Sequence, residues 1–482
     1  MSLTQILALS LSALLIGWLT PRNWRVACIL IASLLVIYWL QPSTPIRNLD
    51  FWLPTLSVVL TVFVWASTRS VESQGNRLTL AAILVIVLPI LLIGLTRYTG
   101  AICCLTPSRP PGLLQIGLGL FLAAGIIALP YLWPSKNRFF SYFSLLLILA
   151  IFIILKTPAL ALRLSQLLRT WTGQPIEFSS ALDITWLGFS FLAFRLMHVL
   201  RDYQNGRLPA YSLQSFASYA LFFPSYVAGP IDRSQRWIGE LGQTQATTGL
   251  QAPKEQAANT IAGLQRILIG AFKKFVLADS LALFALSPQN AAQTTSTGWM
   301  WVLLLGYTLR IYFDFSGYTD IAIGLGRLMG FHLPENFDRP YLKQSLTAFW
   351  NSWHMTLAQW FRAYVFNPLT RALRMRPRKL PTWLIILLGQ TCTMILIGLW
   401  HGITWNFFVW GLWHGLGLFV NNRWSEWVRP RFADQAEGNL TAKVLGWAGW
   451  LATFLYVALS WVWFALPNPA LAGQVFRKLL GL

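Results

Sequence analysis

Charge is scarce in this sequence. Of 482 residues only 11% are Asp, Glu, Lys or Arg, and the acids number 16 against 37 bases. That is roughly half the charged share of a soluble domain. No two carboxylates stand in a glycosidase-like context, and there is no serine nucleophile elbow, no phosphate-cradling glycine loop and no HExxH zinc motif. Cysteine is equally sparse. Cys28, Cys103, Cys104 and Cys392 form no CxxC pair and no disulfide pattern. Cys103 and Cys104 are adjacent, but chelation needs further ligands that the sequence does not supply, so no structural metal is indicated.

What the sequence has instead is apolar length. Runs of about 17 to 23 residues recur from one end to the other, the length a helix needs to cross a bilayer. Helices are expected because a spanning segment has to satisfy its own backbone groups. The reading is an all-α polytopic membrane protein of about 11–13 helices plus re-entrant segments. Spans are expected at 3–19, 24–40, 51–67, 78–96, 112–133, 139–155, 183–200, 298–313, 382–400, 404–420 and 443–465. The first run lacks a basic leader and passes into the second, so it is expected to be retained rather than cleaved. A net charge of +21 fits Lys and Arg at span ends facing anionic lipid. It does not call for nucleic acid. The cluster Arg371, Arg374, Arg376, Arg378 and Lys379 marks its loop as cytoplasmic.

The two halves differ in texture. Residues 1–156 are monotonous Leu, Ile, Val and Ala, and are expected to face lipid as scaffold. Residues 159–171 alternate leucine with Arg163, Gln166 and Arg169, which suits an amphipathic helix in the interface. From about residue 201 aromatic, Gly and Pro residues become dense. Phe222–Ile231 is apolar but broken by two prolines and a glycine, so it cannot be one transmembrane helix. A re-entrant segment beside a cavity is the reading. Residues 241–260 read as a polar loop and 260–285 as a helix carrying Lys273 and Lys274. Gly324, Gly326 and Gly330 read as small residues for close helix contact, not as a dinucleotide fingerprint.

Ionisable groups within this apolar frame are the functional candidates. His401 and His414 sit among tryptophans in Gly398–Gly415. Asp314 and Asp320 fall between apolar runs, where a polar anchor for neighbouring helix ends is the competing reading. Residues 345–366 read as one amphipathic helix with Trp350, Trp353, Leu357, Trp360, Phe361 and Tyr364 on one face, and His354 and Arg362 beside that stripe. Histidine suits acid–base work near neutral pH. With a second polar group to orient it or hold an oxyanion, it suffices for acyl transfer from a thioester to an alcohol, without metal or redox cofactor.

Three motifs in order carry a resemblance. They are Tyr219–Ile231 with Phe-Phe-Pro and Ala-Gly-Pro-Ile, then Tyr312–Tyr364 with Tyr-Phe-Asp-Phe-Ser-Gly-Tyr-Thr-Asp, Pro-Glu-Asn-Phe and Phe-Trp-Asn-Ser-Trp-His-Met, and then Leu399-Trp-His-Gly through His414-Gly. Together they resemble the membrane-bound O-acyltransferase superfamily, and within it the bacterial branch that O-acetylates secreted polysaccharides such as alginate. The resemblance implies that His401 is the central catalytic histidine and His354 the second active-site residue. It implies a ring of helices around a catalytic funnel, with Trp400, Trp405, Asn406 and His414 lining or bracing it. Asp314, Trp353 and Arg362 complete the candidate substrate-binding set. The sequence departs from its relatives at Ala363, at Asn367–Thr370 and at Ala465, positions that bear on the substrate or on partner docking.

The layout expected is one membrane domain over 1–482, with lipid-facing helices at 1–156, a catalytic core at 180–425 and a closing helix and tail at 426–482. The expected function is O-acyl transfer, acetyl from acetyl-CoA above all, to hydroxyls of a secreted or cell-surface polysaccharide, directly or through an extracytoplasmic acyl-accepting protein. The acyl thioester arrives from the cytoplasm as a substrate, no cofactor is expected to stay bound, and the protein sits in the inner cell membrane. D-alanyl transfer from a carrier protein to teichoic acid is the alternative within the family. A transporter or flippase is the alternative of another class, since broken segments and intramembrane charges also mark transporters.

Overall fold

Lipid offers no partner to a backbone amide or carbonyl, so apolar runs of this length have to close their hydrogen bonds within themselves. The computed structural model describes residues 1–69, 76–99, 105–246, 251–432 and 440–482. Among them every regular element is helical and no strand forms. Seven described helices are long and apolar enough to cross a membrane, and Leu3–Leu19 is a shorter apolar one. The chain is a multi-pass membrane protein. It divides into two compact units, residues 1–267 with 321–334, and residues 268–320 with 335–482. Cys103 and Cys104 lie outside the described residues.

The first unit holds the helices Leu3–Leu19, Arg22–Leu40, Leu49–Thr68, Asn76–Leu95, Leu113–Leu132 and Asn137–Lys156, close to the bounds the apolar runs predict. They are not uniform scaffold. The Leu49–Thr68 window is 83% buried, against 17% for Leu113–Leu132. The reason is polar: Thr55, Ser57 and Thr61 lie along Leu49–Thr68 and are buried. Tyr38 shares a hydroxyl hydrogen bond with Thr55 at 2.7 Å. Ser57 accepts from the Trp186 indole at 2.8 Å and from the Tyr226 hydroxyl at 2.9 Å. These groups need protein around them rather than lipid.

Tyr226 belongs to the proline-broken segment, which forms only the single turn Phe223–Tyr226. Its exposed carbonyls are collected by one buried cation. Arg195 donates to the carbonyls of Ala220 at 2.9 Å and Ser225 at 2.7 Å, and to the Ser225 hydroxyl at 2.6 Å. The span expected at 183–200 takes the form of the shorter helix Phe189–Gln204, in which Arg195 and His198 are buried. The amphipathic helix expected at 159–171 forms as Pro158–Thr172. Its Arg169 Nε meets Asp183 at 2.9 Å, and the Ser165 hydroxyl donates to the same carboxylate at 2.7 Å. Burial works to raise the Asp183 carboxyl, but Ser165, the Ser180 amide and Arg169 outweigh it and hold it below the ordinary carboxylate range.

The polar stretch expected as a loop at 241–260 is mostly helical, in Ser234–Ala246 and Gln251–Ala271. Its Gln, Ala and Glu are good helix formers, and that propensity outweighs its polarity. A Cβ on Gly324 would lie 2.6 Å from the Gly263 carbonyl, so Gly324 does serve close helix contact, whereas Gly326 lies against the Phe331 carbonyl and Gly330 turns the chain at φ 85°. The span expected to end near 313 runs on as Thr297–Leu328. Asp314 and Asp320 therefore lie within that helix.

In the second unit, a seven-residue π-helical stretch, Phe272–Ala278, sets two lysines toward those carboxylates. Lys273 pairs with Asp320 at 2.6 Å, and Lys274 pairs with Asp314. The helices Thr382–His401 and Trp405–Phe432 form a hairpin whose backbones touch. A Cβ on Gly398 would lie 2.2 Å from the Phe407 carbonyl, and one on Gly411 would lie 2.5 Å from that of Met394. Any side chain there separates the two helices. Leu440–Ala465 and the short Pro469–Leu479 complete the unit.

Candidate active site

The hairpin turn ends one helix on His401 and starts the next at Trp405, so the Trp-His-Gly sequence stands at a helix C-terminus. His401 is half-buried within four rings. Trp400 lies at 4.5 Å, Phe464 at 4.7 Å, and Phe407 and Trp410 at 5.8 Å between centroids.

His354 arrives by a different route. The single helix expected over 345–366 is broken into Leu346–Trp350, Met355–Phe361 and a π-helical turn Arg362–Phe366. The break falls at His354, whose backbone is left-handed at φ 43° and ψ 51°. That region is uncommon for a residue with a Cβ, although His visits it more readily than most. The buried His354 ring is met edge-on by Phe315 at 4.7 Å and by Trp400 at 6.0 Å. Its Nδ1 is 3.2 Å from Asn336 Oδ1, which also accepts from the Thr356 amide at 3.2 Å and the Thr356 hydroxyl at 2.9 Å. Burial pushes the imidazole down to about 3, so it is neutral at physiological pH. Trp400 thus touches both histidines, which stand far apart in sequence.

The other residues singled out from the sequence divide by environment. Trp353 is buried in an aromatic core, with Phe349 stacked at 5.6 Å and Trp461 at 5.3 Å. His414 is fully enclosed, its Nδ1 taking the Trp350 indole hydrogen at 3.3 Å and its Nε2 meeting Ser460 Oγ at 2.9 Å. Asn406 is buried and donates to the Leu466 carbonyl at 2.7 Å. These three brace the unit. Trp405 is 71% exposed and touches Phe408 at 5.7 Å. It is not gathered with the histidines by any ring contact described. Asp314 faces Lys274 and is half exposed.

Arg362 lies beside a cavity of about 300 Å³ lined by Trp350, Asn351, Gln390, Met394 and Ile397, and donates to Asn351 at 2.7 Å. Ile397 is one helical turn before His401. The cavity is mostly apolar with a cationic side chain on its wall. It can take a slender molecule that has an apolar body and an anionic group.

Sequence reasoning did not single out Asn336, Trp410 and Phe464 as neighbours of the histidines. Asn336 and Trp410 both left a signal, since they fall inside the Pro-Glu-Asn-Phe and Trp-His-Gly motifs.

A sequence model described as MBOAT, membrane-bound O-acyltransferase family, matches residues 113–462. The probable alginate O-acetylase AlgI of Pseudomonas aeruginosa is 33% identical over 318 residues, 66% of this chain and 55% of that protein. The peptidoglycan O-acetyltransferase of Helicobacter pylori is 34% identical over 275 residues, 56% of this chain and 48% of that protein. The teichoic acid D-alanyltransferase of Streptococcus thermophilus is 31% identical over 245 residues, 50% of this chain and 58% of that protein. The chain spans about half the length of the curated relatives it matches.

Proposed function

The chain belongs to the membrane-bound O-acyltransferase family, and on that premise we propose that it moves an acetyl group from acetyl-CoA, or another acyl thioester, to hydroxyls of a secreted or cell-surface polysaccharide. The observation that carries the reading is the Trp400 ring in contact with both His354 and His401 inside the family-matched segment. Relatives named for O-acetylation of alginate and of peptidoglycan support the acetyl donor and the polymer acceptor. The acceptor is the polymer itself or an extracytoplasmic protein that relays the group.

In this mechanism the acceptor hydroxyl gives its proton to an imidazole as its oxygen attacks the thioester carbonyl. His401 is the general base, because its half-buried ring admits a substrate. His354 orients the acceptor hydroxyl. Collapse of the intermediate breaks the carbon–sulfur bond, and the thiolate takes up the proton that the base holds. The aromatic walls keep water from the thioester. Arg362 meets an anionic part of the donor at the cavity beside Ile397, and the basic cluster at 371–379 draws that donor from the cytoplasm. Trp400, Trp353, Trp405, Asn406, His414 and Asp314 shape or brace the funnel. The catalytic core is assigned to residues 180–425 and the location to the inner membrane.

The test is release of acetyl from labelled acetyl-CoA by purified protein, wild type against His401→Ala and His354→Ala at matched folding. A loss of about a hundredfold or more in His401→Ala is expected, the size a general base contributes. Turnover that is indifferent to both histidines overturns the site. A second reading, D-alanyl transfer to teichoic acid, draws on the relatives of that name. Turnover of a D-alanyl carrier thioester, with acetyl-CoA untouched, selects it.

A further inference from the structure

Asn336 is fully buried, and its side chain faces two residues of another segment, His354 and Thr356. Its Oδ1 lies 3.2 Å from His354 Nδ1, 3.2 Å from the Thr356 amide and 2.9 Å from the Thr356 hydroxyl. The backbone repeats the tie, since the Met355 amide donates to the Asn336 carbonyl at 3.0 Å. A carboxamide oxygen and nitrogen are assigned from their partners. Here the assignment is forced, because the Thr356 amide can only donate and the atom facing it has to be the oxygen. That oxygen can only accept, so the ring nitrogen facing it has to carry the hydrogen.

We infer that Asn336 is a positioning residue that holds His354 as its Nδ1–H tautomer and leaves Nε2 as the basic nitrogen. The left-handed backbone of His354 fits this role. Such a conformation is costly for a residue with a Cβ and persists where its surroundings over-determine it. The clasp of Asn336 on residues 354, 355 and 356 does that. The rings packed on the imidazole, Phe315 and Trp400, are not titratable and fix its plane. A proton taken by His354 then enters on the edge away from Asn336, and a hydroxyl held by the ring is held from that edge. This last consequence rests on the acyl-transfer reading, whereas the tautomer does not.

The experiment uses full-length protein in lipid nanodiscs with ¹⁵N-labelled histidine. His354 is assigned by difference against His354→Gln, since the chain has five histidines. Wild type is expected to show a protonated Nδ1 and an unprotonated Nε2 at neutral pH. Asn336→Asp keeps the acceptor and is expected to keep that tautomer. Asn336→Leu removes it and is expected to shift the population toward Nε2–H. A wild-type His354 protonated on Nε2 overturns the inference, and so does an Asn336→Leu protein that stays fully Nδ1–H.

The kinetic arm uses acetyl-CoA. Asn336→Leu is expected to lose about a hundredfold in kcat with little change in KM. In Asn336→Asp the added negative charge favours the imidazolium, so the acid limb of the rate profile moves to higher pH. Should wild type consume no acetyl-CoA, the functional reading fails, while the nitrogen resonances still decide the tautomer.

Discussion

Trp350 donates its indole hydrogen to Nδ1 of His414 at 3.3 Å, and the opposite ring nitrogen meets Ser460 at 2.9 Å. Both edges of that imidazole are in use, and the residue is fully buried. His414→Ala is expected to strand the Trp350 indole, at about 1–3 kcal/mol for a buried group. The check is thermal unfolding in detergent, where His414→Ala melts lower than wild type. His401→Ala, half-buried among rings, should lose activity with a far smaller change in melting temperature. Equal melting temperatures for His414→Ala and wild type would refute the bracing role.

The hairpin makes a sharper prediction. With backbone oxygens 2.2 Å and 2.5 Å from the built Cβ positions of Gly398 and Gly411, no rotamer relieves the clash. Gly411→Val is expected to cost more than the roughly 1–3 kcal/mol of ordinary overpacking, because backbone has to move. Size-exclusion profiles and yield of folded protein report it. Gly473, which has nothing near its Cβ position, should tolerate alanine.

Asp183 sets a pH dependence in the first unit. Its carboxyl is held below the ordinary range, as burial is outweighed by Ser165, the Ser180 amide and Arg169. The unfolded chain therefore binds the proton more tightly than the folded one. The resulting stability is present above the ordinary carboxylate pKa of about 4 and is lost as pH falls through the lower folded value. Asp183→Asn should melt below wild type at pH 7, and the gap should narrow toward pH 3. A gap independent of pH would show that charge is not what Asp183 contributes.

Arg195 predicts a loss without a catalytic signature. Arg195→Met removes donors from the carbonyls of Ala220 and Ser225 and from the Ser225 hydroxyl. Several kcal/mol of stability are expected to go, at about 1–3 for each stranded group. Chemical denaturation of the solubilised protein measures this.

The sequence made the spans legible because lipid leaves an apolar run one option. The bounds of Leu3–Leu19 and Thr382–His401 fall where the apolar residues stop. It singled out His401 and His354 as candidates because an imidazole amid tryptophan is conspicuous. It hid the break at 351–354. The three- and four-residue spacing of Trp350, Trp353, Leu357 and Phe361 reads as one continuous helix, and those residues are indeed all buried. What interrupts it is Asn336, eighteen residues upstream of His354, a tertiary contact that no local pattern records. The burial of Leu49–Thr68 was hidden for the same reason, since Ser57 finds its partners at Trp186 and Tyr226.

That buried helix carries a consequence for the membrane around it. A helix exposed to lipid has to match the thickness of its bilayer, and mismatch costs fractions of a kcal/mol per Å. Leu113–Leu132, with little of its window buried, is expected to meet lipid directly, whereas Leu49–Thr68 is wrapped by its own chain. Thinning or thickening the bilayer tilts the outer helix first. The inner one, solvated by protein, keeps its register with Tyr38, Trp186 and Tyr226 whichever lipid surrounds it.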